Sequence, residues 1–135
     1  MALMNWDETF SVGVKEIDLQ HQKLMAMINK LHDAMKLGKG SEILGSLLGE
    51  LIDYAHTHFS NEEKYFKKFN YEQAATHEVA HHRFTEKVLN FQADFNKGNT
   101  DLSIDIMNFL KDWLTKHIKG VDKQYTKCFN EHGLK

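Results

Sequence analysis

The sequence predicts an all-α fold, an up-down-up-down antiparallel four-helix bundle with an extended N-terminal arm, and three observations predict it. The 135 residues contain no proline, so no residue of that kind interrupts a long helix. Apolar residues recur at alternating intervals of three and four in four separate stretches, the period of a helix with one buried face. The stretches are joined by short connections, which favour antiparallel neighbours.

Residues 1–17, with Trp6, Phe10, Val12 and Val14, read as an arm lying on the bundle, and residues 18–130 as the bundle itself. The first helix carries Leu24, Ile28, Leu31 and Met35, with Asp18 as its expected N-cap and Gly38 to Gly40 as its stop. The second, opened by Ser41 and closed near Asn70, carries Leu44, Leu48, Leu51 and Ala55. The third carries Phe84, Val88, Phe91 and Phe95 and ends at Gly98. The fourth starts near Asp101 and carries Ile106, Leu110 and Trp113.

A chain of this length with 41% hydrophobic residues supports one domain over 1–135 and is too short for a second core. The formal charge of -2 gives no electrostatic footprint for nucleic acid or anionic lipid. The start, MALMNWDETF, lacks a basic opening, and no apolar run approaches the roughly 20 residues that span a bilayer. A cytoplasmic protein without membrane insertion is expected, a monomer ahead of an oligomer. Cys128 is alone, which excludes an internal disulfide and leaves it the role of a small buried hydrophobe.

Nine histidines are the unusual part of the composition. Extending each apolar series by its own spacing places His21, His58, His81 and His117 on four inward faces. Glu62 follows His58 by four and His77 precedes His81 by four, so each pair projects from one side of its helix. The clusters lie near the start of the first and third helices and toward the end of the second and fourth, which in an up-down bundle is one end. Asp122 follows His117 by five, about 140 degrees around a regular helix. It joins the cluster only if the helix widens or breaks near Gly120, as helices often do at functional sites.

One histidine on an apolar face is most often a hydrogen-bonded core residue. Seven such groups at one level of a small core would be severely destabilising unless a metal neutralised the carboxylates and accepted the imidazoles. His32, His56, His82 and His132 fall off the buried series and read as surface residues. Five imidazoles and two carboxylates exceed the needs of one ion. Two six-coordinate ions sharing both carboxylates and one oxygen bridge would keep one position open. The donor types suit iron, with manganese or zinc also compatible.

From WDETFSVGVKEIDLQHQ through HFSNEE and HEVAHH to DWLTKHIKGVDKQY, the chain resembles the hemerythrin family, in its single-domain bacteriohemerythrin type. The resemblance implies two iron ions, oxo- or hydroxo-bridged, with His77, His81 and His117 on one, His21 and His58 on the other, and Glu62 and Asp122 bridging. It implies reversible binding of dioxygen at the iron with fewer histidines, in a pocket lined by Leu24, Phe59, Trp113, Leu114 and Ile118. The role so implied is non-enzymatic: oxygen storage, or delivery to an oxygen-consuming enzyme. Only two carboxylates give less anionic donation than carboxylate-rich di-iron oxidases have, which disfavours high-valent iron. An apolar pocket with no general acid would slow proton-assisted loss of peroxide.

Two rivals come from other classes. HEVAH, residues 77–81, matches the HExxH signature of zinc peptidases, with Glu78 as general base. The pattern is short, no third ligand follows at a familiar spacing, and Glu78 faces about 100 degrees away from the histidines. The second rival is an oxygen sensor acting through a separate partner protein.

Overall fold

The computed structural model describes residues 4–98 and 101–135. Four helical rods follow one another: α1 (Lys15–Lys36), α2 (Gly40–Lys68), α3 (Ala74–Asn96), and a fourth that opens as α4 (Ser103–Asp112). The fourth rod changes pitch along its length. A π-helical segment, Trp113–Val121, follows α4, then a 3-10 turn, Asp122–Tyr125, and then α5 (Thr126–Glu131). The junction residues Trp113, Asp122 and Thr126 all keep right-handed helical dihedrals, so the rod is continuous. Helix α2 packs against α1 and α3, and α4 against α1, closing an antiparallel bundle. Among the described residues no helix is long and apolar enough to cross a membrane.

The ends of the helices follow local chemistry. Gly38 takes a left-handed φ of 71°, and the Lys39 N–H then closes on the Ala34 carbonyl to stop α1. Asn70 does the same for α2 at φ 52°, with the Tyr71 N–H donating to the Phe66 carbonyl. Gly40, at the start of α2, is buried so closely that a Cβ there would lie 2.7 Å from Ser103 Oγ. Helix α2 starts at this residue, one before the expected Ser41.

Asp18 is not the N-cap of α1. The helix starts at Lys15 after Val14, and the Asp18 carboxylate accepts from the Val12 N–H at 2.8 Å and the Ser11 hydroxyl at 2.5 Å. The residue expected to begin the helix instead ties the arm to it. The arm, described from residue 4, is extended apart from one 3-10 turn, Glu8–Phe10, and buries Phe10, Val12 and Val14.

Two apolar clusters form. The larger fills the bundle with Leu24, Ile28, Leu48, Leu51, Phe84, Leu110 and Leu114 among others. The smaller, of Val12, Val14, Ile17, Phe66, Tyr71, Tyr125 and Phe129, caps one end. Cys128 is half-buried against this cap rather than inside it. Between the two clusters lies a polar layer.

Candidate metal centre

That polar layer holds all seven residues singled out by spacing. His21, His58, Glu62, His77, His81, His117 and Asp122 are between 0% and 6% exposed, while each other histidine is half-buried or exposed. Each helix contributes through its own register. His21 lies one turn after Ile17 and one before Leu24; His58 and Glu62 lie between Ala55 and Phe66, and His77 and His81 precede Phe84.

Asp122 reaches the layer because the fourth rod widens. In a π-helix residue i bonds to residue i+5, so residues five apart stack over one another. The Asp122 N–H closes this bond to the His117 carbonyl. The carboxylate then sits with Oδ1 2.7 Å from His77 Nε2 and 2.9 Å from His117 Nε2, and with Oδ2 3.2 Å from His21 Nε2. Its two oxygens thus address different imidazole groups. Glu62 Oε1 lies 3.3 Å from His58 Nε2 and 3.1 Å from His81 Nε2.

The donor atoms fall into two sets, each within 4.8 Å: His77, His81, His117 and Asp122, and His21, His58, Glu62 and Asp122. Asp122 belongs to both. Inside the sets, His21 Nε2 lies 3.0 Å from His58 Nε2, and His117 Nε2 lies 3.2 Å from His77 Nε2. Donors bonded at about 2.1 Å and at right angles around one ion stand about 3 Å apart. Glu62 Oε1, His81 Nε2 and both Asp122 oxygens are buried and complete no hydrogen bond despite these short separations. Orphaned, convergent donors of this kind fit a cation better than they fit one another.

The charges are consistent with that fit. Burial pushes the Asp122 carboxyl up, but the imidazoles of His117, His21 and His77 outweigh it and hold the group well below the usual carboxylate range. Burial and the Asp122 charge push Glu62 up, and His58 and His81 bring it below its ordinary value. His58 is lowered to about 4, chiefly by burial. Burial also lowers His81, yet its bonds to Glu62 and Glu63 leave it raised.

Several partners were missed in the sequence. His58 Nδ1–H donates to Gln20 Oε1 at 2.6 Å, and His81 Nδ1–H donates to Glu63 Oε2 at 2.8 Å. Those outer bonds leave the Nε2 lone pairs facing the interior, the tautomer a metal requires. Tyr125 donates to Glu62 Oε2 at 2.5 Å. Gln20 and Glu63 adjoin His21 and Glu62 in the chain, which was the one available signal; Tyr125 offered none, since its reach depends on the changed pitch.

Of the expected pocket residues, Leu24, Phe59, Leu114 and Ile118 are buried and Trp113 is half-buried. Phe59 lies face to face with His81 at 4.0 Å, and Trp113 with His117 at 3.8 Å. Glu78 is half-buried and belongs to neither donor set.

Imidazoles and carboxylates delivered from four antiparallel helices into one buried layer define a cation-binding four-helix-bundle protein. The chain belongs to the hemerythrin family: residues 12–128 match the family described as Hemerythrin HHE cation binding domain. It is similar to the bacteriohemerythrin of Methylococcus capsulatus, 38% identical over 131 residues that cover 96% of this chain and 99% of that protein. A hemerythrin-like protein of Naegleria gruberi is 36% identical over 121 residues, covering 90% of this chain and 89% of that one. A crystal structure of wild-type hemerythrin superposes with a TM-score of 0.85 at 38% identity, covering 94% of this chain and 98% of that chain.

Proposed function

We propose that this protein binds dioxygen reversibly at a pair of irons, for storage or for delivery to oxygen-requiring enzymes. His77, His81 and His117 would hold one iron and His21 and His58 the other, with Glu62 and Asp122 shared. The observation that carries the reading is Asp122, whose two oxygens face two different imidazole groups at 2.7–3.2 Å. A single ion would leave one group unused.

Two irons held by these residues would supply the two-electron chemistry that reversible dioxygen binding needs. The protein's own residues do the rest. Gln20 and Glu63 fix two imidazoles by their outer nitrogens, and Tyr125 restrains Glu62. Leu24, Leu114 and Ile118, all 0% exposed, keep bulk water from the layer. His77 and His81 share their donor set with His117 and Asp122, whereas a catalytic zinc keeps three protein ligands and an open fourth position.

Metal analysis with optical spectra under anaerobic and aerated conditions tests the proposal. Two irons per chain and a colour that comes and goes with oxygen are expected. One ion per chain, or a colour that never reverses, would overturn it. Oxygen-dependent capture of a specific partner protein would turn the reading from carrier to sensor.

A further inference from the structure

We propose that the Tyr54 hydroxyl is a hydrogen-bond donor for a small anionic ligand on the His21–His58 side of the centre, an inference that rests on the metal reading above. Tyr54 precedes His58 by four residues and shares its inward face of α2. It is 4% exposed, and its ring stacks on the His58 imidazole with centroids 5.1 Å apart and planes 17° from parallel. The hydroxyl is buried and completes no hydrogen bond among the described residues. Tyr125, the other phenol of this layer, is already committed to Glu62.

A buried hydroxyl without a partner is destabilising, and one in a native interior calls for an explanation. A phenol carries its proton at neutral pH. The proton has no acceptor among the described residues.

The two donor sets are covered differently. Phe59 and Trp113 lie face to face on His81 and His117 of the three-imidazole set. On the two-imidazole set, the ring stacked on His58 is the one with the unpartnered hydroxyl. A cavity of about 120 Å³ between α1 and α2, lined by Gln20, Lys23, Asp53, Tyr54, Thr57 and His58, reaches the same pair of rings. It opens on the outer side of His58, where Gln20 holds Nδ1, and both Lys23 and Asp53 line it.

Azide binding to the iron-loaded, oxidised protein tests the inference, with Tyr54→Phe as the variant because it keeps the ring and its stack. Optical titration is expected to show about tenfold weaker azide binding in the variant, the size of one lost bond to an anion. The vibrational band of bound azide is expected to shift between H2O and D2O in the parent and not in Tyr54→Phe. Metal-free Tyr54→Phe is expected to melt at the parent's temperature or above it, since an unpartnered group has been removed. Unchanged azide affinity and an unchanged isotope shift would overturn the inference, as would a lower melting temperature of the metal-free variant, which would reveal an internal partner. A parent protein that takes up no iron overturns both readings, and metal analysis detects that before azide is added.

Discussion

The Asp122 N–H bonds to the His117 carbonyl, and Asp122 Oδ1 lies 2.9 Å from Nε2 of the same histidine. One residue is therefore stacked on the other through both backbone and side chain, across a spacing that a regular helix would splay apart. Gly120 lies between them, but a Cβ there would meet nothing within 4 Å and its φ is not positive. The widened segment does not need a glycine. Gly120→Ala is expected to leave metal content unchanged and to stabilise the fold by about 0.5–1 kcal/mol. Metal analysis and urea unfolding check both, and a loss of bound metal would mean that the widening depends on glycine.

Glu63 is outside the donor sets but accepts from His81 Nδ1 at 2.8 Å. Its removal frees the imidazole to turn and lowers its basicity. Glu63→Ala is expected to weaken metal binding about 10–100-fold with little change in helix content. Competition against a chelator of known affinity measures this, and equal affinity would show that packing alone orients the ring.

Tyr125 donates to Glu62 Oε2, and that carboxylate is fully buried. Tyr125→Phe leaves the oxygen without a partner. In the metal-free protein the expected cost is about 1.5–3 kcal/mol, the value of a hydrogen bond to a charged group. Urea unfolding of the metal-free pair of proteins reads it directly.

His58 titrates near 4 in the folded chain against an ordinary 6.5, mainly because it is buried. The folded value is the lower one, so the unfolded chain takes up the proton first as pH falls. The stability contributed by a neutral His58 is complete above pH 6.5 and is lost progressively toward pH 4. The expected loss in the metal-free protein is about 3 kcal/mol over that window. His81, shifted the other way, has made its change above 6.5 and stays constant there. Unfolding of His58→Gln at pH 7 and pH 4 is expected to show a shallower pH dependence than the parent; an equal slope would assign the loss to other groups.

The helices were legible because each carries its apolar residues at intervals of three and four, as in Leu24, Ile28 and Leu31, all 0% exposed. The convergence of His21, His58, His81 and His117 was legible because each extends such a series. Asp18 was misread because a good capping residue close to a helix start can bind an arm instead, a choice made by tertiary contact with Ser11 and Val12. A change of pitch between His117 and Asp122 was legible as a requirement, but its extent from Trp113 to Val121 was not. Periodicity assigns residues to faces and says nothing of hydrogen bonds between helices. Tyr54 and Tyr125 were silent for that reason, and Gln20 and Glu63 were marked only by standing next to ligands in the chain.

The smaller aromatic cluster joins Val12 and Val14 to Tyr125 and Phe129, and the Thr126 hydroxyl donates to the Val12 carbonyl. Synthesis runs from the arm toward α5, so the arm waits on the ribosome for a counterpart more than a hundred residues downstream. Until that stretch emerges, the chamber has three walls and no floor. Any cation that this layer takes up would therefore be enclosed only once the fourth rod has joined the other three, whatever the order in which the ligands are made.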